Sequence, residues 1–217
     1  MDPVEEWSAA RQRVCALVAN IDDASAAARV PATPDWSVHD LLAHMIGLDA
    51  DVLAGDEPDD HNAGWTQRQV DERRDRSVAE LVAEWTELAP RLEQWMRDNN
   101  PRPLGDAIIH EQDLRGALGV PGAQDTAGLQ AIRDRMVGRF ADGVAGALTL
   151  QGERWSWRSD ADGAPTVVTA SDFDLARALM ARRSADQLRS WTTAGDIGPY
   201  LKAFATLGAL PDADLHE

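Results

Sequence analysis

The 217-residue chain carries 37 acidic against 21 basic residues, a formal net charge of −16, with 44% hydrophobic and 27% charged residues. That balance suits one folded domain, or one large domain with a small appendage, and it works against a nucleic-acid partner, whose phosphates are neutralised by Lys and Arg. A single cysteine, Cys15, excludes an intrachain disulfide and a Cys-rich zinc site, and the absence of a basic leader or a run of about 18 apolar residues predicts a cytoplasmic protein with no membrane span.

Residues 4–21 place Val4, Trp7, Val14, Leu17, Val18 and Ile21 on an amphipathic helical stripe. Cys15 sits beside it and reads as a small buried hydrophobe, since nothing nearby would lower its pKa. In TPDWSVHDLLAHMIGLDADVLAG, Ser37 and Asp40 form a capping-box pair that sets the helical register. Leu41, His44, Met45 and Leu48 then share one inward face, while His39 in the first turn faces solvent. His44 fits either a satisfied core histidine or a metal ligand.

The acidic stretch DEPDDHNAG, with His61, reads as a solvated loop. Helical pattern resumes from Trp65 to Arg74, and RRDR at 73–76 reads as an exposed helix end. Ser77 and Glu80 begin the next helix, with a stripe of Val78, Leu81, Val82, Trp85 and Leu88, then Leu92, Trp95 and Met96 beyond Pro90, where the helix should kink or split.

After the loop NNPRP comes LGDAIIHEQDLRGALG, residues 104–119, in which Asp106, His110 and Asp113 lie four and three residues apart on one helical face. Ile108, Ile109, Leu114 and Leu118 supply apolar surface, and Gly119 with Pro121 ends the helix. A further helix over 126–140, with Leu129, Ile132, Met136 and Phe140 inward, completes an antiparallel helical bundle. The texture then alternates through LTLQGERWSWRSDADGAPTVVTAS, with a hairpin signal at Asp162-Gly163, before a helix capped by Ser171 and Asp174. The expected organisation is mainly α: a bundle over 1–144 and a small α+β appendage over 145–217.

His44, with Asp106 and His110 as a D-x-x-x-H pair on another helix, is the candidate metal set. Two imidazoles and a carboxylate suit zinc, and three protein ligands leave one position open for water, substrate or thiolate. The His-Glu pair at 110–111 is not a metalloprotease motif, because Leu stands at 114, and Glu111 points about 100° away from His110. Asp113 suits either a hydrogen bond that orients a ligand histidine or a surface salt bridge with Arg115. Arg182 and Arg183 suit either an anionic substrate, if the appendage closes over the bundle, or a helix C-terminus.

Taken together, TPDWSVHDLLAHMIG, DAIIHEQDLRGALG and VVTASDFDLARALMARRSADQLRSW resemble the mycothiol-dependent maleylpyruvate isomerase family within the DinB-like bundle superfamily, over nearly the whole chain. The resemblance implies a DinB-like antiparallel four-helix bundle whose W-(S/T)-x-x-D-L-x-x-H and E/D-x-x-x-H motifs bind a divalent metal, usually zinc; here these are His44, Asp106 and His110, with Asp where the isomerase has Glu. It implies mycothiol as a low-molecular-weight thiol that adds to a small electrophile, for isomerisation or S-transfer. A different class of function on the same bundle is a metal-containing binding or stress-response module without turnover.

Overall fold

The computed structural model describes residues 1–60 and 62–217; His61, expected in a solvated loop, lies outside them. The chain divides into two compact units, Met1–Ala123 with Glu217, and Gln124–His216.

The first unit contains helices α1 (Pro3–Val18), α2 (Asp23–Ala26), α3 (Val38–Ala54), α4 (Ala63–Asp71), α5 (Val78–Asp98) and α6 (Pro103–Leu118). The bundle is built from α1, α3, α5 and α6, with α3 packed on α5 and α6, and α1 on the same two. The expected stripes form its core: Trp7, Val14, Leu41, Met45, Leu81, Trp85, Leu92 and Leu114 are all buried. The Trp7 and Trp85 rings meet edge to face at 6.5 Å.

Local signals set the helix ends. Ser37 Oγ accepts from Asp40 N at 3.1 Å while Asp40 Oδ2 accepts from Ser37 N at 2.9 Å, and Ser77 and Glu80 repeat the arrangement. Helix α6 stops at Gly119, whose φ of 63° is the left-handed cap that glycine adopts without steric cost. Helix α5 is not split at Pro90: it runs unbroken to Asp98, and both Pro90 and Thr86, the residue whose carbonyl loses its N–H partner, are exposed. RRDR is not a wholly exposed end either, since Arg73 is buried and bound to Glu84 at 2.7 Å, a carboxylate that Arg76 also reaches.

A buried ionic clasp fastens α6 to α1. Glu111 is fully buried and takes Arg13 in a two-pronged pair at 2.8 and 2.7 Å, while Arg115, one turn along α6, donates to the same carboxylate at 3.1 and 3.0 Å.

The second unit contains α7 (Ala127–Ala141), β1 (Leu148–Gln151), β2 (Ser156–Arg158), β3 (Thr166–Thr169), α8 (Asp172–Leu179), α9 (Ala185–Ser190), β4 (Thr192–Ala194) and a 3₁₀ helix at Gly198–Phe204. Its first helix was expected to complete the bundle within residues 1–144; instead α7 packs on α8 and the 3₁₀ helix. Phe140 explains the allegiance, its ring lying 5.1 Å from that of Trp157 and 4.6 Å from that of Phe204. The sheet has order β2-β1-β3-β4, with β1 antiparallel to β2 and parallel to β3. Asp162-Gly163 therefore does not close a hairpin. Only Gly163 has positive φ, at 113°, where a two-residue type I′ turn needs two such residues, and the strands on either side are separated by β1.

Candidate metal centre

Helices α3 and α6 pack together so that the inward faces expected of both meet. His44, Asp106 and His110 each bring one donor atom to a common point, all within 4.8 Å of one another. His44 Nε2 lies 3.4 Å and His110 Nε2 3.3 Å from Asp106 Oδ1, with side-chain exposures of only 6%, 12% and 17% for His44, His110 and Asp106. The two imidazole rings stand edge to face at 5.3 Å, and Trp36 covers His44 with ring centres 4.9 Å apart.

Each histidine is held from behind. His110 Nδ1 is 2.9 Å from Asp113 Oδ2, and Asp113 is almost wholly buried. His44 Nδ1 is 2.7 Å from Oε1 of Gln69, a fully buried residue of α4. Arg115, the alternative partner weighed for Asp113, pairs with Glu111.

Electrostatics favours a cation at this point. Burial alone would neutralise both His110 and Asp106, yet their mutual attraction outweighs it: Asp106 is held well below the usual carboxylate range, and His110 is pushed up to about 9 with help from Asp113. The two Nε2 to Oδ1 separations are long for hydrogen bonds but match the edges of about 3.3–3.4 Å that tetrahedral coordination at about 2.0–2.1 Å requires. The donor set therefore fits a divalent metal. Among the described residues no fourth His, Cys, Asp or Glu joins the cluster.

Two other candidates of the first unit lie outside the cluster. His39 Nε2 lies 2.7 Å from the carbonyl of Arg76, outside the cluster. Cys15 is half-buried, and burial pushes its thiol up, against the reactive thiolate form. Within the second unit Arg183 is buried, donates to Asp174 at 3.0 and 2.9 Å and to the carbonyl of Arg182 at 2.7 Å, and lies over the Phe173 ring. Arg182 is buried as well and donates to the carbonyl of Met180 at 3.3 Å.

Gln69 is the site residue that sequence reasoning missed. It follows Trp65 by four residues, so the two share a helical face, and a glutamine on the stripe of a buried tryptophan is the signal that would have marked it.

Comparison with known proteins agrees with the architecture. The family described as the mycothiol maleylpyruvate isomerase N-terminal domain matches residues 7–118. The crystal structure of a histidine-to-alanine mutant of the mycothiol-dependent maleylpyruvate isomerase has a TM-score of 0.63, covering 91% of this chain and 94% of that chain at 12% sequence identity. At that identity the likeness shows the fold: a mainly helical, DinB-like bundle followed by a smaller α+β region. No curated protein matches the chain.

Proposed function

The chain belongs to the mycothiol maleylpyruvate isomerase N-terminal domain family, and from that premise we propose that it is a metal-dependent enzyme using a low-molecular-weight thiol, mycothiol, for S-transfer to a small electrophile or for its isomerisation. The observation that carries this reading is the convergence of His44 Nε2, His110 Nε2 and Asp106 Oδ1 on one point with no fourth protein ligand among the described residues. An open position distinguishes a reactive centre from a structural one.

Bound there, zinc would favour the thiolate form of a coordinated thiol near neutral pH. The chain's own residues prepare that chemistry. Asp106 offsets one unit of the cation's charge, so the set stays net positive by about one and attracts an anionic sulfur. His44 and His110 present Nε2 while Gln69 and Asp113 occupy Nδ1, so the rings do not turn when the site fills. Trp36 packs against the His44 ring beside the donors. Cys15, half-buried with its thiol pushed up, is poorly suited as the nucleophile, in keeping with a thiol supplied from outside.

The test is product formation from purified mycothiol and simple electrophiles, chlorodinitrobenzene for S-transfer and maleylpyruvate for isomerisation, with zinc-loaded protein. A rate above the uncatalysed one that is lost in His110→Ala supports the reading. Stoichiometric zinc without any such rate would favour a non-catalytic binding module on the same bundle.

A further inference from the structure

Helix α4 stands outside the four-helix core and packs on α3. It does so closely: a Cβ built on Gly47 would overlap Gln69 Cβ and lie 2.8 Å from its Cγ. Glycine is unfavourable within a helix, and here it admits the stem of Gln69 between His44 and Asp51, which lie on the same side of α3 two turns apart. The amide then joins them. Gln69 Oε1 is 2.7 Å from His44 Nδ1, and Gln69 Nε2 donates to Asp51 Oδ2 at 2.8 Å.

The chemistry of the partners settles which end of the amide faces which. A carboxylate only accepts, so the NH₂ of Gln69 must face Asp51 and the carbonyl oxygen must face His44. That oxygen also only accepts, as does Asp106 on the other side of the ring, but Gln69 Oε1 lies 2.7 Å from Nδ1 where Asp106 Oδ1 lies 3.4 Å from Nε2, so the neutral ring of His44 carries its hydrogen on Nδ1. Arg68 lies 3.6 Å from Asp51, while bonding Asp56 at 2.8 Å, and steadies the outer end. The two histidines are thus supported differently. His110 has a carboxylate behind it, whereas His44 is oriented by a neutral amide that adds no charge.

We infer that Gln69, itself oriented by Asp51, is the positioning residue that holds His44 in its Nδ1–H tautomer and so directs Nε2 to the metal centre. The tautomer follows from the comparison of these two contacts; the effect on the metal rests on the metal-centre reading above.

The test combines ¹⁵N NMR of the histidine rings in zinc-free protein, at a pH where the His44 ring is neutral, with zinc affinity by chelator competition. Wild-type protein should show His44 as the Nδ1–H tautomer. Asp51→Asn lets the amide turn over and should yield a mixture of tautomers with the fold intact. Gln69→Leu should lower zinc affinity about 10- to 100-fold. An Nε2–H tautomer in the wild type, or a folded Gln69→Leu variant that binds zinc within about twofold of wild type, overturns the inference. Should Gln69→Leu fail to fold, the wild-type and Asp51→Asn spectra decide: an unchanged single tautomer in Asp51→Asn refutes control by Asp51. Failure of wild-type protein to bind zinc would sink the metal-centre reading while leaving the tautomer measurement to stand or fall separately.

Discussion

Lowering the pH from 8 to 6 should weaken zinc binding about 100-fold, because zinc and a proton compete for His110. Attraction to Asp106 and the bond to Asp113 outweigh burial and push His110 up to about 9 in the metal-free protein, so below that pH its ring carries a proton that zinc must displace. Each pH unit below the break then costs about tenfold in apparent affinity per proton displaced, and two units give about 100-fold. Asp106, held well below the usual carboxylate range, stays ionised and adds no proton between pH 6 and 8. The assay is competition with a chromophoric chelator of calibrated proton affinity, continued to pH 10 to find the plateau. Asp113→Asn should move the break downward, since it removes one of the interactions that raise His110. The same raised value makes metal-free protein most dependent on this pair at low pH: the contribution is complete below the unfolded-state value of about 6.5 and is lost as pH climbs through about 9. Metal-free Tm should therefore fall over that window, with zinc reversing the fall. Zinc affinity that changes by less than about threefold between pH 8 and 6 would refute the competition.

His44→Ala and His110→Ala should each abolish tight zinc binding by isothermal titration, while His39→Ala, outside the cluster, leaves it within about twofold; His61→Ala, at a position outside the described residues, should leave it equally unchanged. Gly47→Ala, which in an open helix would add about 1 kcal/mol of stability, should instead cost about 1–3 kcal/mol in denaturant unfolding, because its methyl group enters the space of Gln69. A stabilised Gly47→Ala protein would show that α3 and α4 do not pack this closely. Asp49→Asn should raise Tm at neutral pH: burial pushes the Asp49 carboxyl well above its ordinary value, so its contribution is lost as pH rises through that value, whereas asparagine stays neutral and still accepts the 2.6 Å bond from the Trp85 indole. A lower Tm for Asp49→Asn would mean that a charged carboxylate is wanted in the core.

The helices of the bundle were legible because their determinants are local. Ser37 with Asp40 and Ser77 with Glu80 announce helix starts within four residues, and the stripes that follow are buried as their spacing requires. The pairing of Asp106 with His110 is equally local, and His44 joins it once two inward faces are assumed to meet. What was not legible depends on contacts between distant segments. The place of α7 turns on Phe140 meeting Phe204 and Trp157. The strand order turns on β1 choosing a parallel partner across a loop, where the Asp-Gly turn signal suggested a neighbour. Pro90 was tolerated for a reason invisible to local propensity, the exposure of its side of α5. Gln69 escaped because a glutamine on a short helix carries no spacing rule connecting it to a histidine 25 positions earlier.

The clasp formed by Glu111 bears on how firmly the candidate metal centre is held. His110 and Glu111 are consecutive on α6 and point in different directions, so the turn that offers a donor to the metal is also the turn pinned to α1 through Arg13. A helix held there keeps His110 at a fixed height along the bundle. Calcium, which takes six to eight oxygens, gains little from the two imidazole nitrogens of this donor set. Stiffness on the far side of the helix thus steadies a donor at the near side, through a side chain that lies outside the donor set.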